Sequence, residues 1–263
     1  MSKVRLSASV CPSEEVPISF CCELREAIPT LRSMGYTGIE LLLSRAEDID
    51  VPSLERLLSK SEMELPAIGT GLAVTEGLSL SSQDEGVRRK TVERITSFSR
   101  LADRLNSRVV IGSIRGGASQ ASTLASLEKS FSELGDLEAL IEPLNRYECR
   151  FINTASEALE FIRRNGLHNS RVLLDTFHMN IEESSLADAI RKTGKMLGHV
   201  HVADSNRRAP GYGHIAFNEV FDALGEIEYG GFLSLEMFQV PSSGVALEHA
   251  AEFINALAQS RTH

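Results

Sequence analysis

The sequence predicts a single (β/α)8 barrel, the TIM-barrel class, as one domain over residues 1–263. Three observations carry that expectation. Short β-rich apolar runs recur eight times along the chain, amphipathic helical patterns fall between them, and no linker or low-complexity segment interrupts the alternation. Eight such units over about 250 residues suit one α/β barrel better than two smaller domains. A doubly wound sheet would call for a glycine-rich dinucleotide fingerprint after the first strand, and Val10-Cys-Pro-Ser-Glu14 is not one.

The expected strands are Val4–Ser9, Gly38–Leu43, Leu65–Gly69, Arg108–Ile114, Leu137–Glu142, Arg171–Asp175, His199–Ala203 and Phe232–Glu236. Several read as nearly continuous apolar runs, as parallel strands covered on both faces should. Between them, Glu23–Met34 ends before Gly35. Ser82–Leu105 places Val87, Val92, Ile95, Phe98 and Leu101 on roughly one face of a 3.6-residue period. Thr154–Asn165 opens with a capping Thr, carries Glu157 three residues on and stops at Gly166. Leu186–Met196 and Gly244–Ala258 follow the same logic.

Composition closes several doors. Lys and Arg total 27 against 36 Asp and Glu, a formal charge of −9, with 42% hydrophobic and 24% charged residues. That is a globular balance, and its acidity argues against nucleic acid or an anionic membrane as partner. No apolar run approaches the roughly 20 residues of a spanning helix. Cys11, Cys21, Cys22 and Cys149 lack zinc-like spacing and read as reduced thiols, which gives a cytoplasmic expectation.

Barrel enzymes place their chemistry at the C-terminal strand ends. In the second half the polar residues there are Glu142, Asp175, His201 and Glu236, each separated from the next by about one strand plus one helix. Any one carboxylate at such a position is ordinarily a helix cap or an ion-pair partner. Several on adjacent strands repel one another unless a cation or proton sits among them. Three oxygen ligands and one imidazole suit a hard to borderline divalent ion, Mn²⁺ first, with Mg²⁺ and Co²⁺ as alternatives.

These residues lie in longer motifs: Ile141-Glu-Pro-Leu-Asn-Arg-Tyr-Glu148, Leu174-Asp-Thr-Phe-His-Met-Asn-Ile-Glu-Glu183, His199-Val-His-Val-Ala-Asp-Ser-Asn-Arg-Arg-Ala-Pro-Gly211 and Ser234-Leu-Glu236. Between Glu138 and Phe238 the chain resembles the ketose 3-epimerase family, which includes the D-tagatose and D-allulose 3-epimerases of the xylose-isomerase-like barrel superfamily. The resemblance implies that Glu142, Asp175, His201 and Glu236 ligate the metal and that Glu142 and Glu236 double as the acid/base pair. It also implies that Glu148, His178 and Arg207 contact sugar hydroxyls. Ala216 departs from the Asp that many relatives carry before the residue matching Phe217.

Inverting a carbon beside a carbonyl requires removing its proton and returning one on the opposite face. A metal stabilises the resulting enediolate, and two carboxylates serve as base and acid. The expected activity is therefore C3 epimerisation of a ketose or keto sugar acid. An aldose–ketose isomerase of sugar or hydroxypyruvate type, or a C4-epimerase of a 3-keto sugar, needs the same parts and stays open. Arg115, in Ile111-Gly-Ser-Ile-Arg-Gly-Gly117, motivates the acid: on the predicted rim it would hold a carboxylate in two-pronged fashion. Its plain alternative is a structural Arg bonding a neighbouring loop.

Two other classes fit less well. A DNA-repair endonuclease on this barrel would need a His-rich zinc cluster and a basic face, against seven His and a charge of −9. A non-catalytic sugar-binding protein would show a damaged ligand set. Barrel relatives are often dimers or tetramers, so a homo-oligomer is an open expectation. The apolar side of Gly244–Ala258 serves core packing or an interface.

Overall fold

Eight parallel strands close into a ring in the computed structural model, which describes residues 4–13, 15–117 and 121–260. The ends of the expected domain, 1–3 and 261–263, lie outside the described residues. The strands are β1 (Arg5–Cys11), β2 (Gly38–Leu42), β3 (Glu64–Gly69), β4 (Arg108–Ile111), β5 (Ala139–Ile141), β6 (Arg171–Asp175), β7 (Leu197–Val202) and β8 (Phe232–Leu235). Each pairs with the next, and β8 pairs with β1 in the register Ser7↔Ser234. A two-residue strand, Phe20–Cys21, adds beside the end of β1.

Helices cover the ring: α1 (Leu24–Ser33), α2 (Val51–Ser61), α3 (Glu85–Leu105), α4 (Ala121–Leu134), α5 (Ala155–Arg164), α6 (Thr176–Glu182), α7 (Leu186–Thr193), α8 (Phe217–Glu226) and α9 (Ser243–Gln259). Their starts follow local chemistry. Asp84 accepts from the amides of Gly86 and Val87 and fixes the start of α3 three residues later than the periodicity suggests. The expected capping box is present at α5, where Thr154 and Glu157 satisfy each other's amides. Gly194, at φ 51, ends α7 ahead of the predicted Met196, and a short 3-10 turn follows. On α9, Ala246, Leu247, Ala250, Ala251 and Ile254 are buried. That face packs on the core, and the Tyr36 hydroxyl donates to the Leu247 carbonyl at 2.8 Å.

The strand interiors set up the site. Ala67, Val110, Leu140 and Leu173 form a separate apolar cluster from β3 to β6. On the other strands the buried interior positions are polar: Ser7 and Ser9, Glu40, His199 and His201, and Ser234. Residues two apart on a strand point the same way. Leu140 therefore places Glu142 inward, Leu173 places Asp175, His199 places His201, and Ser234 places Glu236. One side-chain parity aims all four at the barrel axis.

Candidate active site

The four strand-end residues do meet. Each offers a ligand atom, and these atoms all lie within 4.8 Å of one another, on buried side chains. His201 Nδ1 stands 3.5 Å from Glu142 Oε1 and 3.6 Å from Glu236 Oε2. Asp175 caps α6, its Oδ1 accepting from the Phe177 amide at 2.7 Å, which leaves Oδ2 facing the cluster. Asp175 Oδ2 and His201 Nδ1 are buried with no hydrogen-bond partner among the described residues. Buried polar atoms are normally satisfied, and two orphans aimed at one point among three carboxylates fit a divalent cation.

Gly112 lets Glu142 in. β4 ends at Ile111 rather than the expected Ile114, and a Cβ at Gly112 would collide with the Glu142 carboxylate. The chain then turns through Ser113–Arg115. This turn takes Arg115 away from the rim. Its side chain is fully buried, and its guanidinium donates to the backbone carbonyls of Ile111 (3.0 Å), Ile152 (3.3 Å) and Glu142. The expectation that Arg115 binds a substrate carboxylate is thus corrected: the plain alternative holds, because three backbone carbonyls at the end of β4 and in the loop after β5 occupy its guanidinium.

The expected sugar-binding residues gather at one wall. His178 Nε2 lies 3.6 Å from Asp175 Oδ2 and 3.9 Å from Glu142 Oε1. Arg207 Nη2 lies 2.5 Å from Glu236 Oε2 and its Nη1 3.6 Å from Asp175 Oδ2. Glu148 sits at the mouth, about half exposed. Asn145 joins two of them: its Nδ2 is 2.8 Å from His178 Nδ1 and donates to Glu148 Oε1 at 2.9 Å. Asp204 shapes the β7 loop by accepting from the amides of Ser205, Gly211 and Ile215. In that loop the Arg207 amide donates to the Asp204 carbonyl and Arg207 takes φ 58.

Glu142, Glu148, His178, His201, Arg207 and Glu236 line a cavity of about 200 Å³ together with Gly69, Thr70 and Gly71 from the end of β3. Val16, Ile18, Leu42, Leu72, Val110 and Leu144 give it apolar lining. Two residues here escape the strand-end reading. Glu40, in the middle of Gly38-Ile-Glu-Leu-Leu42, and His199, two residues before His201, are both buried. Glu40 Oε2 is 2.9 Å from His199 Nε2, and both its oxygens are 3.0 Å from His201 Nε2. A lone carboxylate inside an apolar strand is the signal that could have found the pair.

Environment pushes the two glutamates apart. Burial, with the Glu236 charge, raises Glu142 above the usual carboxylate range against the pull of His201. Burial would raise Glu236 too, but His201 and Arg207 outweigh it and hold that carboxyl at about 2. Two carboxyls with opposed shifts are what an acid/base pair requires.

Fold and site together define a barrel enzyme with a candidate divalent-metal centre at its C-terminal rim. A family model described as the xylose isomerase-like TIM barrel matches residues 28–257. The chain belongs to that family, and within it to the ketose 3-epimerases. It is 32% identical to an L-ribulose 3-epimerase of Mesorhizobium japonicum over 82% of this chain and 76% of the relative. It is 48% identical to a D-psicose 3-epimerase of Agrobacterium fabrum, over 41% of this chain; that match spans 37% of the relative's length. A solved L-ribulose 3-epimerase superposes with a TM-score of 0.84 at 26% identity, covering 98% of this chain and 95% of that one.

Proposed function

We propose that the chain epimerises a ketose at C3, the carbon next to its carbonyl, with a divalent ion held by Glu142, Asp175, His201 and Glu236. The convergence of those four side chains, with two orphaned donor atoms at its centre, carries the reading. The relatives matched along most of the chain support the C3 position. A 3-dehydro-D-guloside 4-epimerase of Escherichia coli matches 36% of the chain, so C4 chemistry is the second reading.

A bound ion supplies electrophilic stabilisation of the oxygen charge that develops as the α-carbon loses its proton. Mn²⁺ is the ion we assign, since the set mixes one imidazole with three carboxylates. Glu236, held ionised by Arg207, takes the proton from one face of C3. Glu142, whose Oε1 is 3.5 Å from His201 Nδ1, returns a proton to the opposite face, and for the reverse reaction the roles exchange. His178 and Arg207, whose donors already point into the cavity, fix the carbonyl end of the sugar, with Glu148 at the mouth. The apolar lining of the cavity meets the rest of the ketose. With Arg115 committed to backbone, no observation now favours a keto sugar acid over a neutral ketose. All four cysteines are free thiols, which supports a reducing, cytoplasmic setting.

Incubating the Mn²⁺-loaded protein with D-psicose, D-tagatose and L-ribulose and separating the products by chromatography tests the proposal. A C3 epimer from at least one is expected; aldose products, or no conversion with metal bound, would overturn it.

A further inference from the structure

Among the described residues, Glu40 is a fully buried carboxylate whose hydrogen-bond partners are two imidazoles, with no Arg or Lys paired to it. Such a group is costly to bury, and an apolar residue of similar size would ordinarily serve the strand better. Glu40 reaches from β2 to β7 across the inside of the ring, past β1 and β8. The intervening side chains there are small: Ser7 and Ser234 stand in register with each other, and Ser234 with His201. The barrel interior is thus cleared along one line that joins Glu40 to the far nitrogen of His201.

We propose that Glu40, anchored by His199, is the positioning residue that turns His201 so that Nδ1 presents its lone pair to the metal. Both Glu40 oxygens lie 3.0 Å from His201 Nε2, on the ring edge opposite the orphaned Nδ1. An acceptor at Nε2 fixes the proton there and stops the ring from turning about its Cβ–Cγ bond. His199 Nε2 donates to the Oε2 of the same carboxylate at 2.9 Å and keeps it from swinging. Carboxylate-backed histidines serve metal sites in this way, and loss of the carboxylate costs about 10–100-fold in metal affinity.

The inference rests on the metal-site reading, and the experiment separates the two. Mn²⁺ binding would be measured by calorimetry on the metal-free full chain, with no sugar present, for the wild type, Glu40→Gln, Glu40→Asp and His199→Leu. The ring nitrogens of the Zn²⁺-loaded proteins would be read by long-range ¹H–¹⁵N NMR. The wild type is expected to bind one Mn²⁺ and to carry protons on Nε2 of both His199 and His201. Glu40→Gln offers a single acceptor oxygen, so one of those two Nε2 protons should disappear and the Mn²⁺ Kd should rise about 10–100-fold. Glu40→Asp keeps the charge but retracts it, and should fall between; His199→Leu should weaken binding several-fold through the loosened carboxylate. A folded Glu40 or His199 variant with wild-type Kd and an unchanged ring pattern would overturn the role of Glu40. A wild type that binds no Mn²⁺ would overturn the metal-site reading itself, and this inference with it.

Discussion

Arg207 grips Glu236: its Nη2 is 2.5 Å from Glu236 Oε2 while Nη1 faces Asp175 Oδ2 at 3.6 Å. The guanidinium thus spans a proposed metal ligand and the proposed base. It also lies 4.6 Å over the ring of Phe177, which fixes its plane. A base must be ionised to act, and the contact helps to hold Glu236 at about 2. Arg207→Lys keeps a charge without the planar fork. It should lower kcat/KM about tenfold to a hundredfold and let the Glu236 carboxyl climb toward the ordinary range. The acid limb of the kcat/KM profile should then move to higher pH. An acid limb that stays in place would separate Arg207 from Glu236.

Glu142→Gln and Glu236→Gln each remove a proton-transfer group and one ligand charge. Each variant should lose at least about 10²–10⁴-fold in turnover while circular dichroism shows the barrel unchanged. Either one retaining near wild-type activity would end the two-glutamate scheme.

Arg115 tests the corrected assignment. Arg115→Met roughly keeps the volume but removes the charged donors to the carbonyls of Ile111, Glu142 and Ile152, of which the first and last keep a backbone amide. We expect a loss of about 2–4 kcal/mol in denaturant unfolding, since each charged hydrogen bond of this kind is worth about 1.5–3 kcal/mol. The ratio of activities on ketoses and keto sugar acids should not change. A selective loss on the acids would return Arg115 to the substrate.

Chelation reports on the carboxylate cluster. Without a cation Glu142, Asp175 and Glu236 crowd His201, so the metal-free protein should melt earlier. Mn²⁺ at a hundred times its Kd should add about 2.7 kcal/mol. Lower pH should weaken Mn²⁺ binding, because protons compete with the ion for the carboxylate oxygens and for His201 Nδ1. A Tm indifferent to chelator and to Mn²⁺ would count against the metal centre.

The sequence exposed the barrel and the candidate metal-binding cluster because both are periodic properties. Strand spacing recurs along the chain, and the polar residue closing each late strand shares one inward parity with the apolar residue two positions before it, or, on β7 and β8, with a polar one. Arg115 was illegible for the opposite reason. Whether its side chain faces the rim or turns back on backbone depends on Gly112 ending β4 early, at φ −101 and ψ −113, which no pattern of residue types encodes. Glu40 and His199 were hidden because their partnership crosses the barrel between strands that are not neighbours. A strand-by-strand reading sees a charged residue in an apolar run but not the imidazoles 159 and 161 residues away. The helix ends that shifted, at Asp84 and Gly194, were set by a single side-chain cap and one positive φ.

Proton exchange at C3 is the most direct test of the central claim. The Mn²⁺-loaded protein would be incubated in D₂O with D-psicose, D-tagatose, D-fructose and L-ribulose and followed by NMR. We predict deuterium at C3 of at least one ketose, appearing together with its C3 epimer. Deuterium at C1 with aldose formation, or no exchange at C3 while Mn²⁺ is bound, would contradict it.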